Sequence, residues 1–246
     1  MLVIVDKTEN TYSFLQFNRD TMTEVALIDH NGEGEATANI QLCTAHWYGG
    51  NREQSCENTV KSVKKLLGGI QIDGYYELNM SEIPKLNNMV DGVTVTVEDD
   101  FSKKYPKMKK GATINLDDEQ AYAYVHDRYG VGDEENTSRM KRQQQYMTGF
   151  FKKLQEKVKA NPNYANEVFE SLQDVSTTDI TIGKISNISN IFASGTDKGI
   201  FELAGKSKIG QALGDEIDHM EFYVNKKAMV STMSELFGIV EQKNKE

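Results

Sequence analysis

Residues 55–97, SCENTVKSVKKLLGGIQIDGYYELNMSEIPKLNNMVDGVTVTV, decide the fold class, because two hydrophobic periods alternate within them. Cys56, Val60, Val63 and Leu67 recur at i, i+4, i+7 and i+11, one face of a helix starting near Ser55 that Gly68 and Gly69 end. Gly74 to Met80 predicts a strand. Ser81 is placed to cap a short helix with Ile83, Leu86 and Val90 on its apolar face, and Gly92 breaks that helix. Residues 93–97 (VTVTV) then alternate as a strand does. Helices and strands taking turns predict a layered α/β or α+β fold in one domain.

Upstream, residues 2–5 (LVIV) and 12–17 (YSFLQF) predict two short strands joined by the polar turn KTEN. A polar stretch with Gly32 and Gly34 follows, and Ala38–Tyr48 has no clear period. Downstream, residues 99–116 are a charged, Lys-rich loop. Asp117 and Gln120 stand at capping-box spacing before a helix running to about Val125. The loop DRYGVGDEENT leads to the longest predicted helix, Ser138 to Ala160, with Met147, Phe150 or Phe151, Leu154 and Val158 as its apolar stripe. Beyond Pro162 come further helical segments, a strand near Glu221–Val224, and a terminal helix carrying Met229, Met233, Leu236 and Val240 in register. The chain shows no internal repeat and no Pro-, Gly- or Ser-rich linker.

Composition narrows the function. The 246 residues carry 28 Lys plus Arg against 37 Asp plus Glu, a net charge of −9, which disfavours nucleic-acid binding unless the cations are gathered locally. No run of about 18 apolar residues is present to span a bilayer. Asp6 and Glu9 stand where a signal peptide needs a basic start and a long apolar core. Cys43 and Cys56 lie in no C-x-x-C pair; they read equally as buried thiols or as a short-loop disulfide. The usual signatures of nucleophilic hydrolases, P-loop and dinucleotide enzymes and HExxH metalloproteases are missing. His30, His46, His126 and His219 are isolated from one another in sequence.

Arginine is scarce yet clustered. Arg128, Arg139 and Arg142 fall close together beside Lys141, and Arg139 and Gln143 are i, i+4 neighbours off the apolar stripe of their helix. A guanidinium at a helix N-terminus suits an anion. The competing reading pairs these cations with Asp133, Glu134 and Glu135 on a solvated surface. Arg19-Asp20 follows an apolar strand, where α/β folds place ligand-contacting groups; an ordinary ion pair is the alternative there.

Five segments together resemble the LytR-CpsA-Psr family of cell-wall glycopolymer ligases. Residues 1–22 (MLVIVDKTENTYSFLQFNRDTM) are similar to the family's paired strands ending in an Arg-Asp-Thr motif. AHWYGG at 45–50 with the helix and strand at 55–80, residues 83–101 with a single Gly92, residues 114–146 with their QAYAYVHDR and RMKRQQQ runs, and EFYVNKKAMVSTMSELF at 221–237 follow in the family's order. The resemblance spans nearly the whole chain. It implies a three-layer α/β/α sandwich with a central mixed sheet.

The same resemblance implies a function: transfer of a polyprenyl-pyrophosphate-linked glycopolymer to a sugar hydroxyl of peptidoglycan, forming a phosphodiester. The lipid tail would lie in an apolar tunnel. Arg19, Arg128 and Arg139 would act catalytically and, with His126, Arg142 and Gln143, bind the pyrophosphate. Arg142 can either bind or support. Aliphatic positions on the helices at 56–67 and 140–158 are core or tunnel wall. His126 departs from the family pattern, which has an arginine there, and loses the bidentate fork. Mg²⁺ is the implied cofactor. The family's metal aspartates map upstream of Met1, together with a first strand and a membrane-spanning helix, leaving Asp20 as the nearest remaining carboxylate. The resemblance thus implies an N-terminally shortened chain from a protein anchored at the outer face of the bacterial cytoplasmic membrane. Secretion makes a Cys43–Cys56 disulfide the favoured pairing. A non-catalytic lipid- or glycan-binding module and a lipid pyrophosphatase remain alternatives that use the same pocket.

Overall fold

The computed structural model describes residues 1–34 and 36–238 of the chain. The elements run β1 (Leu2–Asp6), β2 (Thr11–Gln16), β3 (Met22–Ala26), β4 (Thr37–Gln41), a 3₁₀ turn at Leu42–Trp47, α1 (Arg52–Leu66), β5 (Tyr76–Leu78), α2 (Ile83–Met89) and β6 (Thr94–Thr96). They continue with β7 (Thr113–Asn115), α3 (Asp118–His126), α4 (Asn136–Ala160), α5 (Tyr164–Ser171), β8 (Ser176–Thr178) and α6 (Ile182–Ser194). β9 (Thr196–Glu202), β10 (Gly205–Gly210), β11 (His219–Val224) and α7 (Lys226–Phe237) complete the chain.

The central sheet is mixed, in order β1-β2-β9: β2 is antiparallel to β1 and parallel to β9. Residues 12–16 of β2 are buried, as a strand covered on both faces must be. On one face Leu15 packs with Val63 and Leu67 of the first helical layer and with Met233 of α7. On the other, Phe14 stacks on Phe151 of α4 with ring centroids 4.2 Å apart, and Tyr12 meets Phe192 of α6 at 4.9 Å. Helix, sheet and helix thus form three layers, the expected α/β/α arrangement in a single mixed α/β domain. Four two-stranded sheets, β3-β4, β5-β8, β6-β7 and β10-β11, extend around this centre.

A second core lies beside it. Val93, Val95 and Val97 turn inward from β6 against Tyr124 of α3 and Tyr146 and Phe150 of α4. Gly149 permits the close approach, since a Cβ there would stand 2.6 Å from the Val93 side chain. The capping box before α3 forms as its sequence predicts, with the Asp117 carboxylate accepting from the Gln120 amide and the Gln120 side chain from the Asp117 N–H side.

Several local expectations are corrected. α1 begins at Arg52, ahead of Ser55, because the Asn51 side chain caps it by accepting from the Gln54 amide. Ser81 is not the cap of α2; its hydroxyl donates to Glu82 instead, and a 3₁₀ turn precedes the helix. The Lys-rich loop contains β7, which pairs with β6 and supplies the half-buried Ile114. The region after Pro162 holds three strands that its polar sequence conceals, among them β9, the parallel partner of β2. Aliphatic helical positions named as core or tunnel wall, such as Val63 and Leu67, are buried in a packed cluster, and Val158 is buried as well. Val240, expected to extend the stripe of α7, lies outside the described residues.

Candidate functional site

Two loops and one helix start meet at the carboxyl end of β2. Residues 18–21 form a tight turn: the Asn18 side chain accepts from the Asp20 amide at 2.9 Å, and the Thr21 hydroxyl donates to the Asn18 carbonyl at 2.6 Å. Asn136, at the start of α4, reaches back to the side chains of Asn18 and Asp20. Arg139 donates to Asn136 at 2.7 Å, so the same residue aligns the helix and its guanidinium. The third component is the segment following α3, which presents His126, Asp127, Arg128 and Tyr129.

Arg19, His126, Asp127, Arg128, Tyr129 and Arg139 line one pocket of about 310 Å³. Its electrostatics are one-sided. Arg19 has a carboxylate partner, Asp20 at 3.6 Å, but Arg128 and Arg139 have none within ion-pair distance among the described residues. Their Nε atoms are buried and make no hydrogen bond. Burial, then the charges of Arg19, Arg128 and Arg142, pull the pKa of Arg139 down from its ordinary value. Like charges held together with unmade hydrogen bonds are costly unless an anion completes them. The predicted surface pairing with the 133–135 acids does not form. Asp133 accepts from Ser138, Glu134 from the Gly130 amide and Glu135 from Thr137.

Arg19, Arg128, Arg139 and His126 therefore come together as the sequence predicts. His126 stacks on Tyr122 with centroids 4.7 Å apart and lies 3.1 Å from the Asp127 carboxylate. Arg142 and Gln143 do not line the pocket. Arg142 sits on the buried stripe of α4 with Tyr146, Phe150 and Val158, and its guanidinium is engaged by Asp99 and by the Tyr124 and Asp127 carbonyls. Gln143 donates to the Val125 carbonyl at 2.9 Å. Both fasten the end of α3 to α4 and so position the His126–Tyr129 segment. Tyr129 was not legible in the sequence. Its hydroxyl accepts from Arg128, and its ring lies under that guanidinium at 4.5 Å, a cation–π pair on the pocket's outer side.

One further expectation fails. Cys43 and Cys56 are both free thiols. Their sulfurs face different neighbours: Cys43 accepts from Arg19 at 3.6 Å, whereas Cys56 faces His46 and Glu77. The residues described at the pocket do not by themselves suit Mg²⁺, a hard cation that takes carboxylate oxygens in near-octahedral array. Asp20 is drawn to Arg19 and Asn136, and Asp127 to His126 and Lys104. Burial pushes the Asp20 carboxyl up, with Arg19, Arg139 and Arg128 opposing it. Among the described residues, the one group of three metal-ligating side chains is His46, Cys56 and Glu77, a nitrogen–sulfur–oxygen set that includes none of the residues lining the arginine pocket. A larger open cleft of about 790 Å³ lies between the start of α1 and the α5–β8 region, lined by mixed polar groups with Arg52 as its only arginine.

The fold and this pocket define a mixed α/β protein with a pocket lined by three guanidinium groups. The LytR_cpsA_psr family model matches residues 1–237, and the chain belongs to that family, whose general business is the transfer of cell-wall glycopolymers. Solved structures of the same fold include protein gbs0355 from Streptococcus agalactiae, at 20% identity and a TM-score of 0.75, covering 99% of this chain and 81% of that one. TagV of B. subtilis is similar at 20% identity and a TM-score of 0.69, covering 97% and 88%. A structure of TagT bound to LI-WTA is similar at 21% identity and a TM-score of 0.68, covering 96% and 81%. No curated protein matches the chain. No helix among the described residues is long and apolar enough to cross a membrane.

Proposed function

We propose that the arginine pocket holds the pyrophosphate of a polyprenyl-linked glycopolymer and that the protein transfers the glycan phosphate to a sugar hydroxyl of peptidoglycan, at the outer face of the bacterial cytoplasmic membrane. The observation carrying this reading is the convergence of Arg19, Arg128 and Arg139 on one pocket, where Arg128 and Arg139 have no carboxylate partner among the described residues and their buried Nε atoms make no hydrogen bond. A planar guanidinium matches two phosphate oxygens at once, and a pyrophosphate offers enough oxygens for all three. TagT, similar in fold, has been seen bound to LI-WTA, which favours a wall teichoic acid precursor as the donor here.

The chemistry assigned to these residues is electrostatic. Attack by the acceptor hydroxyl on the glycan-bearing phosphorus breaks the bond to the bridging oxygen and leaves polyprenyl phosphate. Negative charge grows on that leaving oxygen and on the equatorial oxygens. Fixed guanidinium donors stabilise it without reorganising. Arg139 and Arg128 face this charge from the helix and loop sides, Arg19 from the end of β2, and His126 adds a donor where a fork would otherwise stand.

A second reading, a binding module without transfer, is favoured by one observation: both carboxylates near the pocket are already engaged, Asp20 by Arg19 and Asp127 by Lys104 and the His126 ring, which leaves no free general base among them. Incubating the full chain with polyprenyl-pyrophosphate-linked sugar, Mg²⁺ and peptidoglycan fragments separates the readings. Sugar joined to the fragment supports the transferase. Bound but unaltered lipid identifies the binding module, and released sugar phosphate a pyrophosphatase.

A further inference from the structure

His46, Cys56 and Glu77 come from three separate segments, the 3₁₀ turn Leu42–Trp47, the first turns of α1, and β5. Cys56 Sγ lies 3.9 Å from His46 Nε2 and 3.5 Å from Glu77 Oε2, and the other Glu77 oxygen, Oε1, lies 3.5 Å from His46 Nε2; with one ligand atom taken from each residue, all three lie within 4.8 Å of one another. Ordinary zinc bond lengths about a tetrahedral centre place sulfur, nitrogen and oxygen ligands about 3.3–3.6 Å from one another. The triad is therefore near ligand spacing, and small side-chain movements of His46 and Glu77 would close it onto one ion. We propose that His46, Cys56 and Glu77 form a binding site for a zinc-class divalent cation, three-coordinate from the protein, with water in the fourth position.

The donor chemistry selects the ion. Thiolate and imidazole favour Zn²⁺ over Mg²⁺ or Ca²⁺, and a single carboxylate completes a common mixed set. Burial differs across the site in the way such a centre requires. Cys56 is 5% exposed, whereas His46 and Glu77 are partly open, giving the metal an entry path and room for water. Arg52 holds Glu77 Oε1 at 3.0 Å, fixing the carboxylate so that Oε2 points at the sulfur. Binding converts the thiol to a thiolate–metal bond and releases its proton to solvent. The bound ion would cross-link the 3₁₀ turn, α1 and β5, and the same 3₁₀ turn carries Cys43 against Arg19 at its other end. The site is independent of the function proposed for the arginine pocket.

The test uses metal-free full chain titrated with Co²⁺ as a spectroscopic probe, followed by Zn²⁺. A thiolate-to-cobalt charge-transfer band that saturates at one equivalent and is displaced by Zn²⁺ is the expected result, with C43S unchanged. C56S should lose the band. Because Cys56 is buried and its replacement can disturb folding, H46A and E77Q provide a second arm: each should weaken Zn²⁺ by about tenfold or more while remaining folded. Absence of a thiolate band in the wild type, persistence of the band in C56S, or unchanged Zn²⁺ affinity in H46A would each overturn the proposal.

Discussion

Arg142 donates to the Asp99 carboxylate at 2.5 Å from a side chain that is 1% exposed. The same guanidinium spans to the carbonyls of Tyr124 and Asp127 and lies over the Phe101 ring at 5.2 Å. One buried cation thereby ties α4 to the end of α3 and to the segment that presents His126 and Arg128. It shapes the anion pocket without touching it.

Replacing Arg142 by Ala leaves Asp99 uncompensated and two carbonyls unmet. Loss of one partner of a buried pair costs roughly 3–5 kcal/mol. Urea denaturation should show a loss of that order, and R142K should recover little of it, because an ammonium cannot span three acceptors in a plane. Stability equal to wild type in R142A would show that the clamp is dispensable.

Arg139 behaves oppositely. Its charge is disfavoured by burial and by Arg19, Arg128 and Arg142, so removing it relieves the empty pocket. R139A should keep or raise the melting temperature while weakening inorganic pyrophosphate by about 10- to 100-fold, the loss of one charge-assisted contact of about 1.5–3 kcal/mol. Calorimetric titration and thermal denaturation on the same samples check both halves.

His126 and Tyr129 tune the pocket rather than make it. H126R restores a fork and should tighten pyrophosphate binding, whereas H126A should loosen it. Y129A removes the ring under Arg128, an exposed cation–π contact of about 0.5–1 kcal/mol, and should weaken binding about 2- to 5-fold. Unchanged affinity in both alanine variants would assign these residues to the surface.

The alkaline limb of stability reports Cys56. Burial, then Glu77, pushes its thiol up to about 12 from an ordinary value of 9.0. A group raised by folding stabilises the fold below its unfolded pKa and loses that contribution as pH rises towards the folded value. Metal-free wild type should therefore lose stability from about pH 9 upward, and C56S should show a flatter decline between pH 9 and 10 than wild type. Parallel curves would exclude the thiol as the source.

Much of this was legible in the sequence because it is local. The capping box at Asp117 and Gln120, the alternating 93–97 strand and the β1–β2 hairpin all follow from short-range pattern. Arg139 could be singled out because it lies off the apolar stripe of its helix, Arg128 by its clustering with Arg139, and Arg19 by its place at a strand end. Arg142 was harder: a charged residue in phase with Tyr146, Phe150 and Val158 reads as an interruption, and its burial depends on Asp99, 43 residues away. β9 and β10 are rich in Lys, Gly and Asp, and only pairing with β2 and β11 makes them strands. Tyr129 is one exposed aromatic in a loop, without any period. The His46–Cys56–Glu77 triad needs β5 folded against α1, which sequence spacing does not encode.

The most direct measurement is the affinity of a short, water-soluble polyprenyl pyrophosphate for the full chain and for the R128A/R139A variant. One saturable site is expected in the wild type, at least about a hundredfold weaker in the variant and weakening with added salt. Equal affinity in the two proteins would contradict it.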